Sequence, residues 1–202
     1  MLDYSLRELY QLPAMHYVRM GLIGNGGYDA TSHAVAQSLP DASARTAQAM
    51  EEIRQRLSDY GIIGFLEHMK AKLLYTWNDG LYFATQKISI DPIAISDIHL
   101  IVLEDGKYFP VYQAYAQSCH LAMLPMICFS CVKAVFTSIS KTPGLLHVLQ
   151  ITILGVAIFL IIWETRSRYL VNMLPLFALC EAWSIGELAN CFGIKMQKTP
   201  AG

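Results

Sequence analysis

The chain is 202 residues long, enough for one or two small domains, and carries a formal net charge of −1. With no basic surplus to release phosphate counterions, the composition argues against a nucleic-acid role. The charge is uneven: residues 1–110 hold 9 Lys or Arg against 13 Asp or Glu, and residues 111–202 hold 6 against 3. Aliphatic residues concentrate in that second half. The expectation is an all-α membrane protein, with a small, mainly helical region over 1–110 ahead of a membrane region over 111–194.

In chain order, "GLIGNGGYDA" comes first. It is rich in glycine, but a phosphate-binding loop needs a strand before it and a helix after it, and no Walker-type Lys follows. It reads as a flexible loop. "LPDASARTAQAMEEIRQRLSDYGI" predicts a helix with Asp41 or Ser43 as N-cap. Met50, Ile53, Leu57 and Tyr60 form its packing stripe, Glu52 and Arg56 are an i,i+4 pair, and Gly61 is the stop. "IIGFLEHMKAKLLYTWNDG" predicts a second helix, striped by Ile62, Phe65, Met69, Leu73 and Trp77 and ended by Asn78-Asp79-Gly80. The two would form an αα-hairpin. "HLIVLEDGKYFPVY" reads either as a β-hairpin about Asp105-Gly106 or as an extended lead-in to the membrane.

Three membrane helices are expected, near 111–132, 145–163 and 169–192. Between Lys107 and Lys133 no residue is formally charged, and Leu145–Trp163 is a further uncharged run. A helix of roughly 20 apolar residues spans the hydrocarbon core. The third segment carries Glu181 and Glu187. Glu181 lies 12 residues past Tyr169, about 18 Å along a helix. It either makes a polar contact to another helix or marks a tilted, interfacial segment. All five cysteines fall in this half. Cys128 and Cys131 form a CxxC with no second pair and no nearby histidines, so they read as small apolar thiols, and no metal site is expected.

Lys133 and Lys141 flank the turn between the first two helices, and Lys195 and Lys198 follow the third. By the positive-inside rule that turn and the tail over 195–202 are expected in the cytoplasm, with residues 1–110 outside the cell membrane. The first thirty residues hold no apolar run that would export such a region. The expectation is therefore that further N-terminal membrane helices, or a partner subunit, belong with this chain.

"FLIIWETRSRYLVNMLPLF" then places Glu164, Arg166 and Arg168 in a short outside turn, against the positive-inside trend. An interfacial anchor, with Trp163 and Tyr169 as aromatic belt, is one reading. The other is an anionic partner, because Arg forms bidentate bonds to phosphate.

"HYVRMGLIGNGGYDATSH", "RLSDYGIIGFLEHMKAKLLYTWNDGLYF" and "ETRSRYLVNMLPLF", in that order, resemble the C-terminal half of Gram-positive membrane proteins related to dolichyl-phosphate-mannose protein mannosyltransferases, of the GT-C glycosyltransferase superfamily. The resemblance runs from about His16 to Phe177. It implies transfer of a sugar from a polyprenyl-phosphate donor at the outer membrane face for cell-envelope polymer or protein glycosylation. It allows a divalent cation in the complete enzyme. Such enzymes keep their catalytic acid in the first outside loop, which has no counterpart here, so no catalytic residue carries over and the chain is expected to be inactive alone. Under this resemblance Arg166, Arg168, Glu164 and Tyr169 become candidates for lipid-phosphate binding. His16, Trp77 and Asp79 become weaker candidates for acceptor or sugar contact, although a backbone-bonded loop histidine, a core tryptophan and an Asn-Asp-Gly turn are the plainer readings. The alternative function is a non-catalytic membrane protein or accessory subunit. A transporter is disfavoured, since no repeat pair or ion path is visible.

Overall fold

The computed structural model describes residues 11–90, 94, 96–136 and 144–193. Among these the chain is helical, with no strand. The elements are α1 (Ala14–Met20), α2 (Ala30–Gln37), α3 (Ala42–Trp77), α4 (Ala84–Ile88), α5 (His99–Val102), α6 (Phe109–Phe136), α7 (Gly144–Ile162), a 3-10 turn (Ser167–Met173) and α8 (Leu174–Cys191). The tail expected over 195–202 and the topology markers Lys141, Lys195 and Lys198 lie outside the described residues.

The chain divides into two compact units. The first comprises Met1–Asn78 and Val156–Ser167, so it contains α1 to α3 and the end of α7. Asp41 caps α3 by accepting from the Ala44 N–H at 2.8 Å, and Asp29 caps α2 by accepting from Ser32 N–H. Each satisfies a free donor of a first helical turn. The two predicted helices meet at the predicted stop: α3 is two helical runs joined across a kink at Gly61, where the backbone leaves helical geometry (φ 56°, ψ −167°). Only a residue without Cβ adopts that geometry cheaply.

The predicted packing stripes of α3 are corrected. Met50, Leu57, Ile62 and Leu73 are exposed, and the buried face holds Arg45, Ala49, His68, Lys72 and Thr76. Ile53, Tyr60, Phe65, Met69 and Trp77 of the predicted stripes are half-buried, so hydrophobic periodicity identified the helix and part of its inner face but not the buried polar residues at its centre. The buried polar groups have partners: Arg45 donates to the carbonyls of Ala36, Leu39 and Gln11, two of them at the C-terminal end of α2. Burial of a cation is tolerated when its donors are used in this way.

The second unit comprises Asp79–Gly155 and Arg168–Gly202. Neither the hairpin nor the extended lead-in expected about Asp105-Gly106 forms. His99–Val102 is a short helix, and the chain turns so that Tyr108 N–H bonds to Leu100 O at 2.8 Å just ahead of α6. Alternating hydrophobicity is too short here to hold a strand without a partner edge. α6 packs on α8, and Ser184 Oγ donates to Met126 O at 2.7 Å. Lys133 pairs with Glu187 at 3.2 Å. Later residues of α6 meet later residues of α8, so the two helices run parallel, as the first and third of three successive crossings must.

Three segments are long and apolar enough to cross a membrane: Phe109–Phe136, Gly144–Ile162 and Ser167–Cys191. The third opens with the 3-10 turn instead of α-helix, and Pro175 stands in the first turn of α8. Proline is tolerated there because its missing N–H has no intrahelical partner to lose.

Candidate functional site

In the first unit the end of α7 is fastened to the glycine-rich loop. That loop is packed, which corrects its reading as a flexible segment. Lys72, 1% exposed, donates through Nζ to Gly21 O at 2.9 Å and to Ile161 O at 2.8 Å. Ile161 O is one of the last carbonyls of α7, which have no N–H donor within their own helix. A cation there also suits the helix dipole. His68 Nε2 reaches Gly21 O at 2.9 Å. Thr76 and Thr165 share a hydroxyl–hydroxyl bond of 2.7 Å, and Thr165 N–H donates to Gly26 O at 2.8 Å. Gly26 sits at φ +81°, with the Lys72 stem 2.7 Å from where a Cβ would stand. Burial pulls the Lys72 ammonium down to about 8, and the nearby Glu164 carboxylate acts in the opposite sense.

The charged turn follows at once. Glu164 and Thr165 are buried. Arg166 Nε lies 3.8 Å from Glu164 Oε1, and its guanidinium covers the Tyr28 ring at 5.4 Å. Tyr17 stacks on Trp163 with ring centres 5.2 Å apart. The glycine-rich loop, the second half of α3 and the start of the charged turn therefore meet within this unit.

Behind them His16 is buried. Its Nδ1 lies 3.1 Å from Arg19 Nη2, and Arg19 also bonds Glu52 at 3.0 Å and Ser32 O at 2.6 Å. Burial, then the Arg19 charge, lowers the His16 pKa to about 4, so the ring is neutral near pH 7. Trp77, half-buried, is the last residue of α3.

Arg168 and Tyr169 belong to the second unit. Arg168 Nη2 reaches Tyr169 Oη at 3.2 Å and its guanidinium covers the Tyr169 ring at 5.1 Å. Asp79 accepts from the N–H groups of Leu81 and Phe83, both at 2.9 Å, so its carboxylate shapes a turn. Gly80 N–H donates to Gln117 Oε1 at 2.9 Å. The turn holds Tyr82 and Phe83 at positive φ, 53° and 63°, a conformation that costs a residue with a Cβ roughly 1–3 kcal/mol. It aims Tyr82 Oη at His120 Nδ1, 2.8 Å away. Burial, with Asp79 adding to it, pushes the Tyr82 hydroxyl up to about 12. Tyr82 and His120 line a cavity of about 490 Å³ with Cys119, Met123, Leu174 and Glu181. Glu181 thus faces a cavity within its own unit. Among the described residues no group of three or more His, Cys, Asp or Glu is placed to hold a metal ion.

A protein-family model described as conserved hypothetical integral membrane protein matches residues 4–188. The chain belongs to that family. No curated protein and no solved structure matches it. As a member of this integral membrane family the chain places ionisable side chains in helices long enough to span, where such groups are costly. His120, within α6, carried that signal in the sequence. Lys72 and Tyr82 carried no such signal, because their neighbours come from distant segments.

Proposed function

We propose that the chain works as the C-terminal part of a GT-C-type membrane glycosyltransferase, with Arg166 gripping the phosphate of a polyprenyl-phosphate-linked sugar. The observation that carries this is the placement of Arg166. It follows directly on a helix long enough to span the bilayer, on a turn bonded to the glycine loop, with Glu164 and Tyr28 orienting its guanidinium. A lipid phosphate lies at that depth, and a planar fork held in advance binds it with little further ordering. The sequence resemblance supplies the sugar and the polyprenyl carrier. In this reading Arg168, covering Tyr169, is an interfacial anchor, and residues 1–110 stand outside the cell with the C-terminus inside.

The test is binding of polyprenyl monophosphate, presented in phosphatidylcholine vesicles, to the reconstituted chain and its Arg166→Lys variant. Lys keeps the charge and reaches the interface but cannot form two parallel bonds. Losing one charge-assisted bond costs about 1.5–3 kcal/mol, so binding should weaken about ten- to hundredfold. A complete homologue with Lys at the matching position should lose sugar transfer by the same factor at unchanged abundance. Equal binding by both proteins would return the turn to a membrane anchor.

A further inference from the structure

The exposed face of α3 changes character at Gly61. Before it, the exposed residues are mainly polar, with Glu51, Arg54, Gln55, Ser58 and Asp59 beside Met50 and Leu57; after it they are mainly apolar, with Ile62, Ile63, Leu66, Leu73 and Leu74 beside Glu67 and Lys70. Ile62 is 83% and Ile63 75% exposed. The face opposite these residues is polar, through His68, Lys72 and Thr76, and is buried in the unit's own hydrogen bonds. A helix with polar groups inside and leucines outside is built for a surrounding medium that is not water.

The same unit shows where that medium lies. α7 has 19 residues, about 28 Å at 1.5 Å per residue, so a crossing uses its whole length and its last turn stands at the hydrocarbon edge. Lys72 bonds Ile161 in that last turn, and Thr76 bonds Thr165 just beyond it. This contact sets the Lys72 end of the apolar face at the level of the hydrocarbon edge.

We infer that residues 62–74 form an interfacial helix, seated in the outer part of the bilayer with Ile62, Leu66 and Leu73 among the acyl chains. Glu67 and Lys70 are too polar for a crossing but suit the headgroup level, where the lysine stem snorkels. The break at Gly61 lets the acidic first half of α3 leave the surface while the second half stays in it. This inference does not depend on any catalytic role for the chain.

The test is photolabelling of the full chain in phosphatidylcholine vesicles, using one lipid with a diazirine near the headgroup and another with it at the chain end. Residue-level mass spectrometry reads the adducts. The shallow probe should label 62–74 several-fold more than 42–59, and more than the deep probe does. The surface variant Leu66→Glu should lower that labelling while leaving labelling of α7 unchanged. Equal labelling of 42–59 and 62–74, or cross-links joining the 62–74 faces of two chains, would overturn the inference, the latter by showing a protein partner instead of lipid.

Discussion

Gly80 is the position where one added methyl group tests the second unit most directly. A Cβ built there would stand 2.8 Å from Ala116 O, 2.9 Å from Gln117 Cα and 2.9 Å from His120 Cβ. The first two are backbone atoms of α6, which cannot rotate away as a flexible side chain does. Gly80→Ala must therefore push the turn off the helix. Overpacking of this kind costs typically about 1–3 kcal/mol. Displacing the Gly80 N–H from Gln117 adds roughly 0.5–1.5 kcal/mol. We expect a loss of about 2–4 kcal/mol, and at roughly 2–4 °C per kcal/mol for a chain of this size, a loss of 3 kcal/mol lowers the midpoint by roughly 6–12 °C. The control is Gly64→Ala. Gly64 is helical, and its nearest neighbour would be Tyr60 Cβ at an ordinary 3.5 Å. There the gain in helix propensity, roughly 0.5–1 kcal/mol, should raise stability. Thermal unfolding of the two purified variants in the same detergent checks both signs. A Gly80→Ala protein within about 0.5 kcal/mol of wild type, the range of an ordinary surface substitution, would refute the packing of the turn on α6.

Lys72 should give stability a distinct alkaline profile. Its folded pKa of about 8 lies below the ordinary 10.5, so the unfolded chain binds the extra proton between these values; the stabilising contribution is complete above 10.5 and is lost as pH falls through 8. From pH 8 to 9.5, below the ordinary tyrosine value of about 10, wild type should gain on the order of 1.5 kcal/mol, and Lys72→Met should not; parallel profiles in thermal unfolding would contradict the buried ammonium. For orientation, Ser43 is exposed near the start of α3, and a Ser43→Cys chain in intact cells should react with an impermeant maleimide above the background of the unsubstituted chain. Reaction only after permeabilisation would reverse the proposed sidedness.

The sequence by itself determined the long helices and the membrane class, while the short helices α1, α2, α4 and α5 were not legible in it. An uncharged run such as Leu145–Trp163 is long and apolar enough to span, and within hydrocarbon a single segment satisfies its backbone polar groups as a helix. Asp41 and Gly61 were legible for a similar reason: a cap and a positive-φ break are local chemistry, set by the residue and its immediate neighbours. The Asn-Asp-Gly turn at 78–80 was local too, and Asp79 spends its carboxylate on the N–H groups of Leu81 and Phe83.

Tertiary structure decided which face is inside. Periodicity gives the phase of the apolar stripe on α3, but whether that stripe meets protein or another apolar medium depends on segments far away in sequence. Lys72 could be buried only because Gly21 and Ile161 bring two carbonyls to it from 51 and 89 residues away. The same holds for Tyr82 and His120, joined across 38 residues by a turn whose strain the sequence does not display. Arg166 and Arg168 are equivalent by spacing. Only the fold separates them, giving one to Tyr28 and Glu164 and the other to its neighbour Tyr169.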